Sequence, residues 1–272
     1  HIENFKNIKE IAKAKSEIIN NVEKNGTVIL NRDDRFFKYL NFLAKRKKLN
    51  VLSFGYSKKA DIYPINIKKT KKETLIKIKV VDENILLKIN NTNVLNILII
   101  LAVIKKLKLS FKKINSFFKN NQSLEGRGKL YKVNRYKINF RLIDESYNAN
   151  PLSMKNAILD LSHLKKNNCK KYLLLGDMLE LGKKSHIYHK KMSNVINNTD
   201  IDKVFVYGKK ILETFKYTKK NKQGKILKKK NEFDKIFSKV IKRNDYLMIK
   251  GSNGTGLNEL SKFIIEEKYN VV

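Results

Sequence analysis

The sequence is poor in cysteine and proline, with one cysteine and two prolines among its 272 residues. The single cysteine, Cys169, excludes a disulfide within the chain and is typical of a protein of the reducing cytosol. We therefore expect a cytoplasmic protein in which Cys169 is a core thiol. The scarcity of proline also excludes a proline-rich linker between domains, and no internal repeat is recognisable.

Long hydrophobic runs are absent as well. The longest apolar run, residues 94–104, is interrupted by Asn96. It is shorter than the stretch of about 20 apolar residues that a membrane-spanning helix needs. We also recognise no signal peptide. We therefore expect a protein that does not insert into a membrane, and we take it to be a monomer.

Acidic residues are greatly outnumbered by basic ones. The chain has 25 Asp and Glu against 60 Lys and Arg, which gives a formal net charge of +35. Such a charge ordinarily favours nucleic acid or an anionic membrane as a partner. However, the lysines are spread along the whole chain, and abundant Lys, Asn and Ile are what an AT-rich genome encodes. We expect no specific nucleic-acid partner, and a basic nucleic-acid-binding protein is the competing hypothesis.

The hydrophobic pattern predicts two domains of an α/β protein. In the first part, residues 7–22 have the periodicity of an amphipathic helix with Lys15 at or beside its apolar face, and residues 60–89 alternate as antiparallel strands do. Asp33 and Asp34 are predicted to cap a second helix. In the second part, short apolar strands alternate with helices, which predicts a mostly parallel, doubly wound sheet. We place the domains at residues 1–126 and 127–272, with strands of the second near 139–143, 172–175, 203–207 and 246–249.

Polar or glycine-rich segments follow three of these strands, at residues 144–150, 176–182 and 250–256. The carboxyl ends of parallel strands meet at one edge of a sheet, where open α/β sheets bind their ligands. The last segment precedes a helix, whose N-terminus offers N–H groups to an anion. It is not a Walker A loop, because no Lys-Ser or Lys-Thr pair follows its final glycine. Any one segment could be an ordinary polar turn, but three on one edge favour a ligand site.

The same segments carry a resemblance. Residues 144–151 (DESYNANP), 176–182 (GDMLELG) and 250–252 (KGS) together resemble the Mur ligase family. The resemblance covers essentially the whole chain and implies the C-terminal part of the central ATPase domain followed by a Rossmann-like C-terminal domain. We expect no ligation by these residues alone, because the family's phosphate-binding loop and UDP-binding domain have no counterpart in them. Further matches lie at residues 1–5 (HIENF), 12–15 (AKAK), 31–34 (NRDD), 90–93 (NNTN) and 126–127 (GR).

The resemblance also implies a reaction. It is the ATP-dependent joining of D-alanyl-D-alanine to a UDP-N-acetylmuramoyl-tripeptide through an acyl phosphate, in the synthesis of peptidoglycan precursors. ATP and Mg²⁺ are the cofactors implied. A non-catalytic remnant of such a ligase, which keeps the fold, is the remaining alternative.

The residue roles are implied in the same way. His1, Lys15 and Arg127 match catalytic positions, of which His1 and Lys15 would hold Mg²⁺. Lys15 would act as its carbamate, an anionic oxygen ligand made from an amine whose ordinary pKa is about 10.4. Arg127 would neutralise charge on the transferred phosphate. The remaining matches assign ATP binding to Asn90, Asn93, Arg127, Glu145, Tyr147 and Asn148, and substrate binding to Asn150, Asp177, Glu180, Lys250 and Ser252.

Overall fold

The computed structural model describes residues 5, 7–69, 74–89, 93–112, 114–120, 124–165 and 168–266. Their contacts divide the chain into two compact units, residues 7–120 and 124–266. The division lies a few residues before the predicted boundary near Arg127, so the turn that carries Arg127 belongs to the second unit.

The first unit contains a five-stranded sheet in the order β1-β2-β3-β4-β5. β1 is parallel to β2 and β2 is parallel to β3, whereas β3, β4 and β5 form an antiparallel meander. The antiparallel strands predicted for residues 60–89 are therefore confirmed. The strands are β1 (Thr27–Asn31), β2 (Asn50–Phe54), β3 (Ile62–Lys69), β4 (Thr74–Val80) and β5 (Glu83–Ile89).

Helices pack on this sheet through apolar stripes. In α3 (Val94–Lys106), the buried positions Val94, Ile97, Leu98 and Leu101 recur at helical spacing and join the core formed with β4 and β5. In α1 (Ile8–Asn20), the buried stripe is Ala12, Ser16 and Ile19, and Lys15 is exposed beside it. The other helices of this unit are α2 (Phe37–Arg46) and α4 (Ile114–Asn120).

The predicted capping of α2 by Asp33 and Asp34 is wrong. The N-cap residue is Phe36, which makes no side-chain cap bond. The carboxylate of Asp33 instead accepts the backbone N–H groups of Tyr56 and Ser57. Asp33 therefore fixes the turn after β2, a long-range contact that the local sequence does not reveal.

The second unit contains a six-stranded sheet in the order β10-β9-β8-β11-β7-β6. Every neighbouring pair is parallel except β6 with β7, so the predicted mostly parallel sheet is confirmed. The edge strands β6 and β10 were not predicted. The strands are β6 (Lys129–Arg135), β7 (Ile138–Glu145), β8 (Lys171–Gly176), β9 (Lys203–Tyr207), β10 (Gln223–Leu227) and β11 (Tyr246–Lys250).

Hydrophobic clusters cover both faces of this sheet, as doubly wound folds require. Along β8, Leu173 and Leu175 join the cluster that contains α5 and α6, while Tyr172 and Leu174 join the cluster that contains α8 and α9. No helix in the described part of the chain is both long and apolar enough to cross a membrane. The helices are α5 (Pro151–His163), α6 (Ser185–Asn197), α7 (Leu212–Tyr217), α8 (Glu232–Phe237) and α9 (Leu257–Glu266).

Candidate functional site

Three neighbouring strands bring the polar segments together. β11 lies between β7 and β8, and Lys250 at its end pairs in register with Glu145 and Leu175. Because all three strands run parallel, the segments that follow them leave the same edge of the sheet. The predicted meeting of these segments is confirmed, and they form the candidate site.

Ser252 joins all three segments. Its hydroxyl donates to the Ala149 carbonyl oxygen at 3.2 Å and accepts the Leu179 N–H at 2.9 Å. Its own N–H donates to the Asp177 carbonyl oxygen at 3.0 Å. Ser252 is buried, and its hydroxyl bonds to protein atoms both as donor and as acceptor. Its visible role is to hold the loops of the site in place.

Lys250 is buried in the same region. Its Nζ lies 3.0 Å from Glu145 Oε2 and 3.0 Å from the Asn148 carbonyl oxygen, and the residue is 1% exposed. The Glu145 side chain keeps 27% of its surface exposed. Lys250 therefore orients Glu145 and the backbone after it, while Glu145 remains accessible to a ligand.

The two acidic residues predicted after β8 differ in their surroundings. Asp177 is buried, and its carboxylate accepts the N–H groups of Ile211 at 2.7 Å and Lys209 at 3.2 Å. A Cβ at Gly208 would lie 2.5 Å from Asp177 Oδ1, so the loop after β9 is closely fitted to this carboxylate. Glu180 is exposed, with a left-handed φ of 60°. Of the two, Glu180 is therefore the one presented to solvent.

His189 also fixes this loop, and sequence reasoning missed it. Its Nε2 accepts the Met178 N–H at 3.0 Å, so the proton is on Nδ1, which donates to the Ser185 carbonyl oxygen at 2.8 Å. Burial lowers the pKa of His189, which keeps the ring neutral. The available signal was the buried stripe of α6, in which Ser185, His189, Met192 and Ile196 follow helical spacing.

Arg127 and Tyr147 form the exposed part of the site. The Arg127 guanidinium carbon lies 4.4 Å from the centre of the Tyr147 ring, a cation–π contact. Both residues are exposed, as is Asn148, whose Oδ1 accepts the Ala149 N–H at 2.8 Å. With Glu145 nearby in the chain, the second unit offers a cation, an aromatic ring and a carboxylate. These groups can bind a phosphate and the hydroxyl groups of a sugar.

Asn150 caps the helix that follows. Its Oδ1 accepts the Ser153 N–H at 2.8 Å, and Ser153 Oγ accepts the Asn150 N–H at 3.1 Å. This reciprocal pair is a capping box, and Pro151 occupies the first turn of α5. The Asn150 side chain therefore has a local structural role in addition to its predicted substrate contact.

The predicted residues of the first unit are not joined into a site by the described contacts. Asn93 caps α3, its Oδ1 accepting the Leu95 N–H at 2.9 Å, and Lys15 is exposed on α1. His1 and Asn90 lie outside the described residues. In the described ranges, no group of three or more His, Cys, Asp or Glu side chains is arranged to hold a metal ion.

Two family models match the chain. The Mur ligase middle domain matches residues 1–104, and the model described as Mur ligase, glutamate ligase domain, matches residues 132–253. The chain belongs to the Mur ligase family. The predicted order, a central Mur ligase domain followed by the C-terminal Mur ligase domain, is confirmed.

Relatives within the Mur ligase family cover nearly the whole chain. The UDP-N-acetylmuramoyl-tripeptide--D-alanyl-D-alanine ligase of Buchnera aphidicola (strain APS) is 30% identical over 273 residues, which are 98% of this chain and 58% of the relative. The enzyme of the same name from Rickettsia prowazekii is 29% identical over 270 residues, with shares of 96% and 58%. The chain thus spans 58% of the length of these two relatives.

Solved Mur ligases share the fold. MurF ligase from Thermotoga maritima, in complex with ADP, superposes with a TM-score of 0.74 at 21% identity, covering 98% of this chain and 59% of that one. MurF from Acinetobacter baumannii gives 0.76 at 20% identity, covering 98% and 57%. At these identities the likeness establishes the Mur ligase fold.

Proposed function

We propose that this chain is part of an ATP-dependent ligase that joins D-alanyl-D-alanine to a UDP-N-acetylmuramoyl-tripeptide in the cytoplasm, during peptidoglycan precursor synthesis. The observation that carries the proposal is the convergence of Arg127, Glu145 and Tyr147 at the strand ends of a Mur ligase C-terminal domain. The relatives that carry this enzyme name match the chain from end to end, which supports the choice of substrates.

The proposed reaction has two steps. A carboxylate oxygen of the tripeptide attacks the γ-phosphorus of ATP and displaces ADP, which gives an acyl phosphate. The amine nitrogen of D-alanyl-D-alanine then attacks the acyl carbon, and the tetrahedral intermediate expels inorganic phosphate to leave the amide. Such a reaction depends mainly on positioning and on neutralisation of phosphate charge.

We assign roles by what the side chains can do. Arg127 supplies a permanent cation for the transferred phosphate, and Glu145 accepts hydrogen bonds from the ribose hydroxyls. Lys250 and Ser252 keep the loops that carry the binding groups rigid, which is the preorganisation that binding and catalysis require. The remaining proposed contacts are to ATP from Asn90, Asn93, Tyr147 and Asn148, to the peptide substrates from Asn150, Asp177 and Glu180, and to Mg²⁺ from His1 and the Lys15 carbamate.

The complete gene product that contains this chain tests the proposal. With ATP and Mg²⁺, we expect phosphate release only when both UDP-N-acetylmuramoyl-tripeptide and D-alanyl-D-alanine are present. Equal release with D-glutamate or L-alanine in place of the dipeptide would assign the chain to a different reaction of the family. Release without any acceptor would contradict ligation altogether.

Two arginine variants test the role of Arg127. Arg127→Ala should lower kcat by about 10²–10³-fold, because a donor to the developing charge is lost. Arg141→Ala is the matched control, since Arg141 stacks on Tyr246 at 4.8 Å and donates to the Asn244 carbonyl oxygen, before β11 begins. It should keep the rate within a few fold. Similar losses in both variants would show that the Arg127 effect is structural.

A further inference from the structure

We infer that Asp144 is the positioning residue for Arg127. It opens the DESYNANP motif directly before Glu145, at the end of β7, and none of the roles proposed above is assigned to it. The inference rests on the proposed function, because it concerns the arginine that meets the transferred phosphate. Asp144 acts through the turn at residues 124–128, which carries Arg127.

Asp144 holds this turn on both sides of Arg127. Its Oδ2 accepts the Gly126 N–H at 2.9 Å, and its carbonyl oxygen accepts the Gly128 N–H at 2.7 Å. The other carboxylate oxygen, Oδ1, accepts both the N–H and the hydroxyl of Ser146, at 3.2 and 2.6 Å. Asp144 is 3% exposed. Its carboxylate therefore supports the backbone of the site and does not contact a ligand.

The backbone of the turn at residues 124–128 is conformationally restricted. Gly126 and Gly128 have φ values of 70° and 86°, which L residues rarely adopt. A Cβ at Gly126 would lie 2.7 Å from Tyr147 Cβ, and one at Gly128 would lie 2.9 Å from Glu145 Oε1. The Tyr147 N–H also donates to the Gly126 carbonyl oxygen at 3.1 Å. These constraints place Arg127 against the Tyr147 ring.

The chemistry calls for a carboxylate at this position. Its two oxygens accept hydrogen bonds on opposite sides, from Gly126 and from Ser146. An asparagine has nearly the same shape but only one acceptor oxygen, so its amide hydrogens would face one of these donors. Asp144→Asn therefore keeps the hydrogen bond on only one of the two sides, whereas Asp144→Ala has no acceptor and removes the attachment of the turn.

The Nε–Hε NMR resonance of Arg127 in the 272-residue chain reports its position. Stacking on Tyr147 displaces this resonance by the ring current, and Tyr147→Leu removes the displacement. We expect Asp144→Ala to move the resonance to its position in Tyr147→Leu. Gly126→Ala should do the same from the backbone side and is the positive control for a displaced turn. Asp144→Leu, which keeps the volume but has no acceptor, replaces Asp144→Ala if that variant does not fold.

Asp245→Ala is the matched control. Asp245 is also 3% exposed and also accepts two backbone N–H groups, from Lys170 and Lys242, both at 2.7 Å. It lies before β11, at the opposite end of the strands from Arg127. We expect it to leave the Arg127 resonance in place. An unmoved resonance in Asp144→Ala, or an equal shift in Asp245→Ala, would overturn the inference.

Kinetics of the complete gene product separate the inference from the proposed function. Displacing Arg127 should lower kcat about 10- to 100-fold in Asp144→Ala, with a much smaller change in KM for ATP, and Asp245→Ala should keep kcat. A shifted resonance with unchanged kcat would support Asp144 as the anchor of the turn and contradict the proposed role of Arg127. A lowered kcat with an unmoved resonance would contradict the anchor alone.

Discussion

His189 is a buried group whose charge state is tied to folding. Burial, first of all, lowers its pKa from the ordinary value of about 6.5, and Lys210 acts in the same direction. The Ser185 backbone, Asp177 and Glu213 act in the opposite direction without cancelling the effect of burial. Protonation of Nε2 would also break the bond from the Met178 N–H, since a protonated nitrogen cannot accept it.

We therefore predict that His189 destabilises the fold in mild acid. Above about pH 6.5 neither state takes up a proton at this residue. Below it, the unfolded chain binds a proton that the native state excludes until its own lower pKa is reached. The free energy of unfolding should fall by up to about 1.4 kcal/mol per pH unit from this group. Urea unfolding at several pH values measures the slope.

The control for this slope lies on the same helix. Below about pH 6.5, His189→Gln should reduce the acid-induced fall in the free energy of unfolding by the contribution of one proton. His186→Gln should not, because His186 is exposed on α6. A His189→Gln chain that loses stability with acid as steeply as the unsubstituted chain would refute the assignment.

The sequence indicated which residues belong to the site, but it indicated only part of what each residue does there. The segments after β7, β8 and β11 were found because polar residues and glycines directly follow apolar strands. Roles that depend on distant partners were not, as with Lys250, whose Nζ contacts Glu145 and Asn148 more than a hundred residues away. Asp144 was recognised as part of the DESYNANP motif, but its role was missed for the same reason, since its partner Gly126 lies across β6 and β7.

At the scale of elements, a stability measurement shows what Asn150 contributes as the cap of α5, apart from its proposed substrate contact. Asn150→Ala removes the acceptor for the Ser153 N–H and should lower the free energy of unfolding by about 1 kcal/mol. Asn150→Asp keeps an acceptor oxygen and should stay within a few tenths of a kcal/mol of the unsubstituted chain. Urea unfolding of both variants measures the difference. Equal stability of the two would show that the cap contributes nothing.

Element prediction succeeded where burial is strongest. β8 and β11 lie inside the sheet, and their continuous apolar runs marked them clearly. The edge strands β6 and β10 are largely half-buried or exposed, and they carry Lys, Asn, Gln and Gly that are uncommon in strands. Their strand conformation comes from pairing with β7 and β9, which a local pattern does not contain.

At the scale of the whole molecule, the charge of +35 has structural uses. Several lysines donate to backbone carbonyl oxygens, among them Lys47 to Ile19 at 3.2 Å and Lys171 to Ser162 at 2.6 Å. Lys203 bonds in the same way to Gln223 at 3.1 Å. At these positions the lysine side chains therefore stabilise the fold, which agrees with the spread of lysines along the whole chain.

We predict that DNA binding by the chain is weak and indifferent to sequence. Its dissociation constant should rise steeply between about 50 and 200 mM salt, because contacts are to phosphates alone. Fluorescence anisotropy with duplexes of unrelated sequence measures both properties. A reproducible preference of a hundredfold for one sequence at physiological salt would instead favour the competing hypothesis of a nucleic-acid-binding protein.

The second unit has what a separately folding domain needs. Its two hydrophobic clusters are formed by its own residues, on the two faces of its own sheet. The sequence predicted the change from an antiparallel to a parallel pattern but placed the boundary at the Gly126-Arg127-Gly128 turn, where glycines suggest a connection. Contacts across β6 and β7 join Gly126, the last residue of the predicted first domain, to the second unit.

Three fragments test where this domain begins. The fragment 122–272 should unfold cooperatively in urea, and the fragment 124–272 should match it because both keep Gly126. The fragment 127–272 lacks the N–H that Asp144 Oδ2 accepts and the carbonyl oxygen that accepts from Tyr147. Leaving the buried Asp144 carboxylate without this partner should lower its stability by about 1–3 kcal/mol. If all three fragments unfold at the same urea concentration, the turn is a linker and the domain begins at Arg127.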